Sequence, residues 1–294
     1  IRMKSDVVTW PSAPDGSWTE EKYCVKPGNY CGLIMVFSTA NGEPLAFIND
    51  GVLQHMRVGG GAGLGVKFLA RKNAKSVGFL GSGGMARTYL HAFCAVRGIE
   101  RVKVYSPTKA NRERYAREMR ERLNIAVDAV DSPEEAVRGV DIVSTCTDSM
   151  APTLKAEWLE PGQHVTMLGP AEISDDVIAR ADVKIAQGRS GLSVTGDGIV
   201  RGVGHSPMAW VAGTEEERKR LPRPEPSKGF WADFPDFADL VSGRTEGRTS
   251  DSQITFYHNI GNQGLQFSST GGLVYEKARA AKKGRQVPTE WFLQ

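Results

Sequence analysis

The stretch Val77-Gly-Phe-Leu-Gly81-Ser-Gly83-Gly84-Met-Ala86 decides the fold class of this chain. A short apolar run ends at Gly81, and a pattern typical of a helix begins at Gly84. In this spacing Gly81 permits a tight turn, Gly83 lets the backbone approach a pyrophosphate, and Ala86 lets helix and strand pack closely. The N–H groups that begin the helix would then bind the phosphates. The stretch therefore predicts a dinucleotide site in a strand–turn–helix unit.

Further strands and helices alternate after this unit. Asp131-Ser132-Pro133 is a strong helix start, with a cap and a proline in the first turn, and Ser174 begins another helix. Because short strands joined through helices at this spacing indicate parallel pairing, we predict an α/β fold with a Rossmann-type doubly wound sheet. The predicted strands are 76–80, 101–105, 125–130, 141–146, 164–168, 182–186 and 253–257.

The rest of the chain is organised differently. Residues 1–58 consist of short apolar runs separated by turn pairs such as Asn41-Gly42, and they read as β-rich. A Gly/Ala-rich helix is predicted from Val58 to Arg71, packed closely against another backbone. Short helices are predicted at 234–242 and 272–283. We predict a β-rich substrate-binding and dimerisation domain, 1–58 with 268–294, and a Rossmann domain, 59–267, with an irregular excursion at 187–235.

Composition excludes several classes of function. The 37 Lys and Arg residues against 34 Asp and Glu give a net charge of +3, too small to indicate nucleic acid as the main partner. No apolar run approaches the roughly 20 residues that cross a bilayer. The four cysteines and five histidines show no zinc-ligand spacing, so no metal site is predicted. We expect a cytoplasmic protein with a small-molecule substrate, and we expect residues upstream of Ile1.

The end of the second Rossmann strand predicts the choice of cofactor. An acid that holds the ribose 2′-hydroxyl of NAD is expected about 20 residues past the glycine motif. Ser106 stands at that position, and Thr108, Lys109 and Arg112 follow it. Hydroxyls and positive charges suit a 2′-phosphate, so NADP is favoured, with NAD as the alternative.

Several motifs in fixed order resemble the ornithine cyclodeaminase/μ-crystallin family. Its members pair a β-rich substrate and dimerisation domain with a Rossmann domain, and they reduce cyclic imines, make or oxidise amino acids, or cyclise ornithine. The resemblance covers nearly the whole chain except 187–235 and implies a homodimer. The motifs that carry it are Lys26-Pro-Gly-Asn29, Asn41-Gly-Glu-Pro-Leu-Ala46, Gln54-His-Met-Arg57, Phe68-Leu-Ala-Arg71, the Gly81 motif, Asp141-Ile-Val-Ser-Thr-Cys-Thr147 and Trp158-Leu-Glu-Pro-Gly162.

The resemblance also implies basic residues at the substrate site. The family's arginine before the Gly/Ala helix matches Arg57, its early arginine matches Arg2, and its lysine matches Lys22, with Lys26 as the rival. An arginine fork suits a substrate carboxylate, and a lysine can exchange a proton with an imine nitrogen. The predicted cofactor-binding residues are Gly81, Ser82, Gly83, Gly84, Met85, Ala86, Ser106, Thr108, Lys109, Arg112, Thr145, Thr147 and Gly169.

Two departures from the family pattern bear on the reaction. Cyclodeaminases carry an aspartate after the fifth strand, where this chain has Met167-Leu-Gly-Pro-Ala-Glu172. A Glu-Asp pattern near the C-terminus is replaced by the stretch 259–267. The leading hypothesis is therefore an NAD(P)H-dependent reductase of a carboxylated imine, or the reverse amino-acid dehydrogenase. The alternatives are an amino-acid cyclodeaminase with bound NAD and a low-turnover, cofactor-loaded protein like the crystallin members.

Overall fold

The computed structural model describes residues 1–9, 11, 21–188, 200–203, 206–209 and 233–292. Most of the excursion predicted at 187–235 therefore lies outside the described residues. The strands are β1 (Arg2–Met3), β2 (Val7–Thr9), β3 (Glu21–Tyr23), β4 (Leu33–Phe37), β5 (Pro44–Asn49), β6 (Ser76–Leu80), β7 (Arg101–Tyr105), β8 (Ala126–Ala129), β9 (Ile142–Thr145), β10 (His164–Thr166), β11 (Val183–Ala186), β12 (Val200–Val203), β13 (Ser206–Ala209) and β14 (Thr255–His258). The helices are α1 (Gly51–Leu69), α2 (Gly84–Val96), α3 (Lys109–Leu123), α4 (Pro133–Val137), α5 (Asp175–Ala179), α6 (Phe237–Val241) and α7 (Gln263–Ala280).

The chain divides into two compact units. Unit 1 comprises Ile1–Thr9, Lys22–Arg57 and Asn262–Gln294. Unit 2 contains Val58–Gly261, together with Pro11 and Glu21 among the described residues that precede it.

Unit 2 is built on a seven-stranded sheet. Its strand order is β11-β14-β10-β9-β6-β7-β8, and every neighbouring pair is parallel. The chain runs outward from β6 to β8 and then crosses to β9 on the other side of β6. This reversal is the switch point at which doubly wound sheets bind ligands, outside the carboxyl ends of the strands. The predicted α/β fold with a Rossmann-type sheet is confirmed.

Both faces of this sheet are covered by apolar side chains. Phe79 belongs to a core that includes residues of α1, α2 and α3, whereas the next residue, Leu80, belongs to a core on the opposite face that includes residues of α4 and α5. Ile142 and Val143 alternate in the same way. Burial on both faces explains why these strands are continuous apolar runs rather than alternating ones.

The glycines of α1 allow the close packing predicted from the sequence. A Cβ atom on Gly59 would lie 2.6 Å from the backbone of Thr88, and one on Gly63 would lie 2.8 Å from the Cβ of Ala92. Both neighbours lie on α2. The helix therefore tolerates its glycines because a larger residue at these positions would separate the two helices.

Unit 1 has a small antiparallel sheet and two helical segments. Its sheet has the order β1-β4-β5, and β2 pairs with β3 in a second, two-stranded sheet. Ile34 of β4, Leu53 of α1 and Phe267 of α7 are buried together as its core. Packing against helices gives this small sheet the buried apolar face that contributes to its stability.

Two predicted helix starts are wrong. The Gly/Ala helix begins at Gly51 rather than Val58, because the carbonyl of Asp50 accepts the N–H of Gln54 at 2.5 Å and Asn49 Oδ1 accepts the N–H of Gly51 at 2.9 Å. Residues 51–58 are therefore helical rather than extended, although those up to Arg57 belong to unit 1.

The C-terminal helix begins at Gln263 rather than at residue 272. Its first turns contain Gly264 and several hydroxyl residues, which individually disfavour helix. The buried ring of Phe267 packs against Ile34 and Leu53 and outweighs that cost. The short helix predicted at 234–242 is present as α6, where Asp236 caps it by accepting the N–H of Asp239 at 3.0 Å.

Candidate functional site

The turn after β6 has a shape that requires glycine at its first position. Gly81 has a φ of +107°, and its N–H donates to the carbonyl of Tyr105 at 2.8 Å. A Cβ atom there would lie 2.1 Å from the carbonyl oxygen of Cys146. The turn is therefore enclosed between the chain segments that leave β7 and β9, and no larger residue fits.

Gly83, in contrast, faces open space. A Cβ atom on Gly83 would meet nothing within 4 Å, and its φ of −80° is accessible to any residue. It directly precedes α2, and no side chain caps this end of the helix. Free helix-start N–H groups beside open space form an anion site, so the residues present fit the pyrophosphate of a dinucleotide.

Arg87 supports this turn from within the helix. Its Nη1 donates to the carbonyls of Ser82 at 2.7 Å and Gly83 at 3.0 Å, while Nε and Nη2 donate to Glu118 at 2.9 and 2.7 Å. The hydrogen bond from Arg87 is the main reason that the pKa of Glu118 is lowered. Two carbonyl groups of the turn are thereby held by one guanidinium. This role of Arg87 was not predicted from the sequence.

The residues predicted to contact the adenosine ribose lie where β7 ends. Ser106 Oγ is 2.9 Å from Ser82 Oγ, which links this segment to the glycine turn. Arg112 is buried, donates to the carbonyl of Ser106 at 2.9 Å, and forms an ion pair with Asp131 at 2.6 Å. The side chain of Lys109 is 73% exposed and lies 3.8 Å from Glu113. Arg112 therefore stabilises the loop at Ser106 from a buried position, whereas the predicted cofactor-binding side chain of Lys109 is exposed to solvent.

Two further predicted cofactor segments follow β9 and β10 and are joined by Glu172. Its Oε2 accepts Thr145 Oγ1 at 3.1 Å, the N–H of Leu168 at 3.2 Å and the N–H of Gly169 at 2.6 Å, and its Oε1 accepts the N–H of Thr147. Burial raises the pKa of Glu172, and these hydrogen bonds oppose that effect. Thr145, Thr147 and Gly169 are thus brought together by a residue that the sequence analysis did not select.

Arg2 of unit 1 is engaged by a buried carboxylate. Its Nε and Nη2 both lie 2.6 Å from Oδ2 of Asp50, whose side chain is only 6% exposed. The Arg2 guanidinium carbon lies 5.0 Å from the centroid of the Phe267 ring. Such a pair fixes the guanidinium in one place.

Arg57 donates hydrogen bonds to two glutamine side chains. Its Nε and Nη2 donate to Gln54 Oε1 at 3.1 and 3.0 Å, and its Nη1 donates to Gln266 Oε1 at 3.1 Å. Its guanidinium carbon lies 4.8 Å from the centroid of the Phe267 ring. These hydrogen bonds to amide oxygens orient the guanidinium.

The two candidate lysines of unit 1 differ in burial. Lys22 lies on β3 and is partly buried, whereas Lys26 lies three residues beyond β3, in an isolated bridge with Cys24, and is exposed. Lys22 and Arg2 belong to separate small sheets of unit 1. The assignment of the proton to Lys22 stays a prediction.

Among the described residues, no group of three or more His, Cys, Asp or Glu side chains is placed to hold a metal ion. No helix in the described part of the chain has the length and apolar character needed to cross a membrane.

The sequence matches the ornithine cyclodeaminase/mu-crystallin family over residues 27–282. The chain belongs to this family. That membership confirms the resemblance drawn from the motifs, and the match extends through the excursion at 187–235, which the motifs had left uncovered.

The relatives and solved structures that resemble this chain include reductases and a dehydrogenase. A Δ1-pyrroline-2-carboxylate reductase of Bacillus cereus is 28% identical over 78% of this chain and 66% of its own length. A solved Δ1-pyrroline-2-carboxylate reductase of Thermococcus litoralis, in complex with NADH and L-proline, has a TM-score of 0.72 at 22% identity, over 97% of this chain and 90% of its own. An archaeal alanine dehydrogenase dimer with bound NAD has a TM-score of 0.70 at 21% identity, over 98% and 88%. The two structures are similar to this chain in fold.

Proposed function

We propose that this protein is an NAD(P)-dependent oxidoreductase that transfers hydride between the nicotinamide and a small carboxylated imine or the corresponding amino acid. The observation that carries this proposal is the turn at Gly81–Gly83, whose open side faces the uncapped start of α2. The family and a Δ1-pyrroline-2-carboxylate reductase among its relatives support the C=N chemistry. When bound, the cofactor supplies or accepts the hydride.

The residues of this chain then have separate tasks. The start of α2 binds the pyrophosphate, and the segments held by Glu172 receive the nicotinamide half. Arg57 binds the substrate carboxylate, because its fork is oriented by amides, and Arg2, paired with Asp50, supports the same ring of Phe267. Lys22 gives the imine nitrogen its proton.

One observation favours the reductase over a cyclodeaminase. In cyclodeaminases an aspartate in the loop after the fifth Rossmann strand acts on the substrate's amino group. In this chain the acid of that loop, Glu172, is fully buried and accepts hydrogen bonds from four donors. A carboxylate engaged in this way is not available to a substrate amine.

We further propose that NADPH is preferred over NADH, that the protein is a homodimer built through unit 1, and that it is cytoplasmic. Ser106 in place of an acid, with the exposed Lys109 nearby, supports the first proposal. Large apolar side chains exposed on unit 1, among them Met3, Phe47 and Trp291, and the dimer formed by the archaeal alanine dehydrogenase support the second.

The test is an assay of reduced cofactor consumption with Δ1-pyrroline-2-carboxylate. Pyrroline without the carboxylate is the matched control and should react far more slowly, since it lacks the group that Arg57 would bind. Ammonia release from L-ornithine without net cofactor change would instead identify a cyclodeaminase. Tight cofactor binding with no turnover of imines or amino acids would identify the crystallin-like alternative.

A further inference from the structure

Glu172 occupies an unusual place in unit 2. It is fully buried at the end of a short 3-10 helix, Pro170–Glu172, and its carboxylate accepts hydrogen bonds from two segments of chain. Thr145 and Thr147 belong to the segment at the end of β9, and Leu168 and Gly169 belong to the one after β10. One side chain therefore ties together the carboxyl ends of two neighbouring strands.

The four hydrogen-bond partners of Glu172 are all donors, so the side chain at this position must accept hydrogen bonds. Three of the four donors are backbone N–H groups, and the fourth is the hydroxyl of Thr145. A carboxylate accepts several hydrogen bonds at once and donates none. An amide at the same place would turn its NH2 group toward at least one of these donors and leave buried groups unpaired.

The position of these segments in the sheet indicates which part of a dinucleotide they meet. The pyrophosphate turn follows β6, and the adenosine segment at Ser106 follows β7, on one side of it. β9 and β10 lie on the other side of β6, and a dinucleotide spans the switch point between the two sides. The segments bound by Glu172 therefore face the nicotinamide half.

We infer that Glu172 is a positioning residue that holds the ends of β9 and β10 in the shape that receives the nicotinamide half of the cofactor. This inference rests on the proposed nucleotide site. It assigns Glu172 no contact with the substrate and no proton transfer.

The experiment compares NADH with ADP-ribose, which has the adenosine, pyrophosphate and second ribose but lacks the nicotinamide ring. Both are titrated calorimetrically into the wild-type protein, Glu172→Gln and Glu160→Gln. Glu160 is the control, because it also accepts a backbone N–H, that of Gly139 at 2.9 Å, but in the segment before β9, at the amino end of that strand. We expect Glu172→Gln to weaken NADH binding by about tenfold or more and to leave ADP-ribose binding within about twofold. Glu160→Gln should change neither affinity.

Equal weakening of both ligands by Glu172→Gln would overturn the inference, because it would show a general role in folding. Unchanged NADH binding would overturn it as well. If Glu172→Gln does not fold, Glu172→Asp, which keeps the charge on a shorter side chain, must show the same selective loss for NADH. A wild-type protein that binds neither ligand would instead refute the proposed nucleotide site.

Discussion

The guanidinium of Arg57, on the first helix of unit 1, lies over the ring of Phe267, on the C-terminal helix, at 4.8 Å from its centroid. The two residues are 210 positions apart in the sequence. An aromatic face attracts a cation, and here it also gives the guanidinium plane a flat support. The ring therefore fixes the orientation of the group that we propose binds the substrate carboxylate.

Replacing Phe267 with Leu should loosen Arg57 while keeping an apolar side chain in the core. We expect KM for the carboxylated imine to rise by about three- to tenfold with a smaller change in kcat, since a cation–π contact contributes about 0.5–2 kcal/mol. Phe47→Leu is the control, because Phe47 pairs with Phe292 instead. Equal KM values in the two variants would contradict a supporting role for the Phe267 ring.

Replacing Arg57 should impair substrate binding, whereas replacing Lys22 should impair proton transfer. Arg57→Ala removes a contact present in both ground and transition states, so KM should rise by about 10- to 100-fold. Lys22→Ala should mainly lower kcat, by about 10²- to 10⁴-fold, if Lys22 is the proton donor. Steady-state kinetics on both variants and on Lys26→Ala make the comparison. Near-normal turnover without Lys22 would assign the proton to another group.

Substitutions of the two glycines in the nucleotide turn should have different effects on nucleotide binding and on stability. Gly83→Val should fold with near-normal stability, because its Cβ meets open space, yet it should lose NADH and ADP-ribose binding because the side chain fills the pyrophosphate position. Gly81→Ala should instead lower thermal stability, because its Cβ would collide with the carbonyl of Cys146. Thermal melts with and without ADP-ribose distinguish these outcomes. A Gly83→Val protein that retains full nucleotide affinity would contradict the site.

Cofactor preference should depend on Lys109. We expect the wild-type protein to bind NADPH more tightly than NADH by about 1–3 kcal/mol, the range of a charged hydrogen bond. Lys109→Glu should abolish or reverse that preference, whereas Arg117→Glu, the same charge change at an exposed position further along α3, should not. Fluorescence titrations with both cofactors provide the measurement. A wild-type preference for NADH would show that Lys109 does not reach a 2′-phosphate.

Local pattern was sufficient to predict most of unit 2. Strands such as β6 and β9 are short apolar runs, and the cap at Ser132, which accepts the N–H of Glu135 at 3.1 Å, is a local interaction that the sequence spells out. The start of α7 was missed because Gly264 and the hydroxyl residues there are helical through the tertiary packing of Phe267, whereas the start of α1 is fixed by local hydrogen bonds to Asn49 and Asp50 that the turn-like sequence did not indicate.

Among the site residues as well, those that depend on local structure could be predicted, and those that depend on tertiary contacts could not. The glycine turn was predictable because its function depends on its own backbone. Glu172 was not selected because its link to the end of β9 is a tertiary contact, made by Thr145 and Thr147, that no local spacing reveals. The Gln266 amide that orients Arg57 was equally hidden, because no spacing rule connects residues on opposite ends of the chain.

Two buried histidines should make the fold sensitive to mild acid. His164 donates to or accepts from Thr255 Oγ1 at 2.9 Å, and burial, with the charges of Arg248 and Arg97, lowers its pKa to about 3. Burial lowers the pKa of His258 to about 4. In the unfolded chain both titrate near 6.5, so between that pH and about 4 the unfolded state binds protons that the folded state does not.

The free energy of unfolding should therefore fall as the pH is lowered below about 6.5, by up to about 1.4 kcal/mol per pH unit for each histidine. Urea unfolding between about pH 4.5 and 7.5 covers this window, and it avoids Asp141, whose lowered pKa places its titration at more acid pH. His164→Gln keeps an amide beside Thr255 but cannot titrate, so the slope of stability against pH should become shallower by about that amount. An unchanged slope in this variant would show that His164 takes up its proton without unfolding.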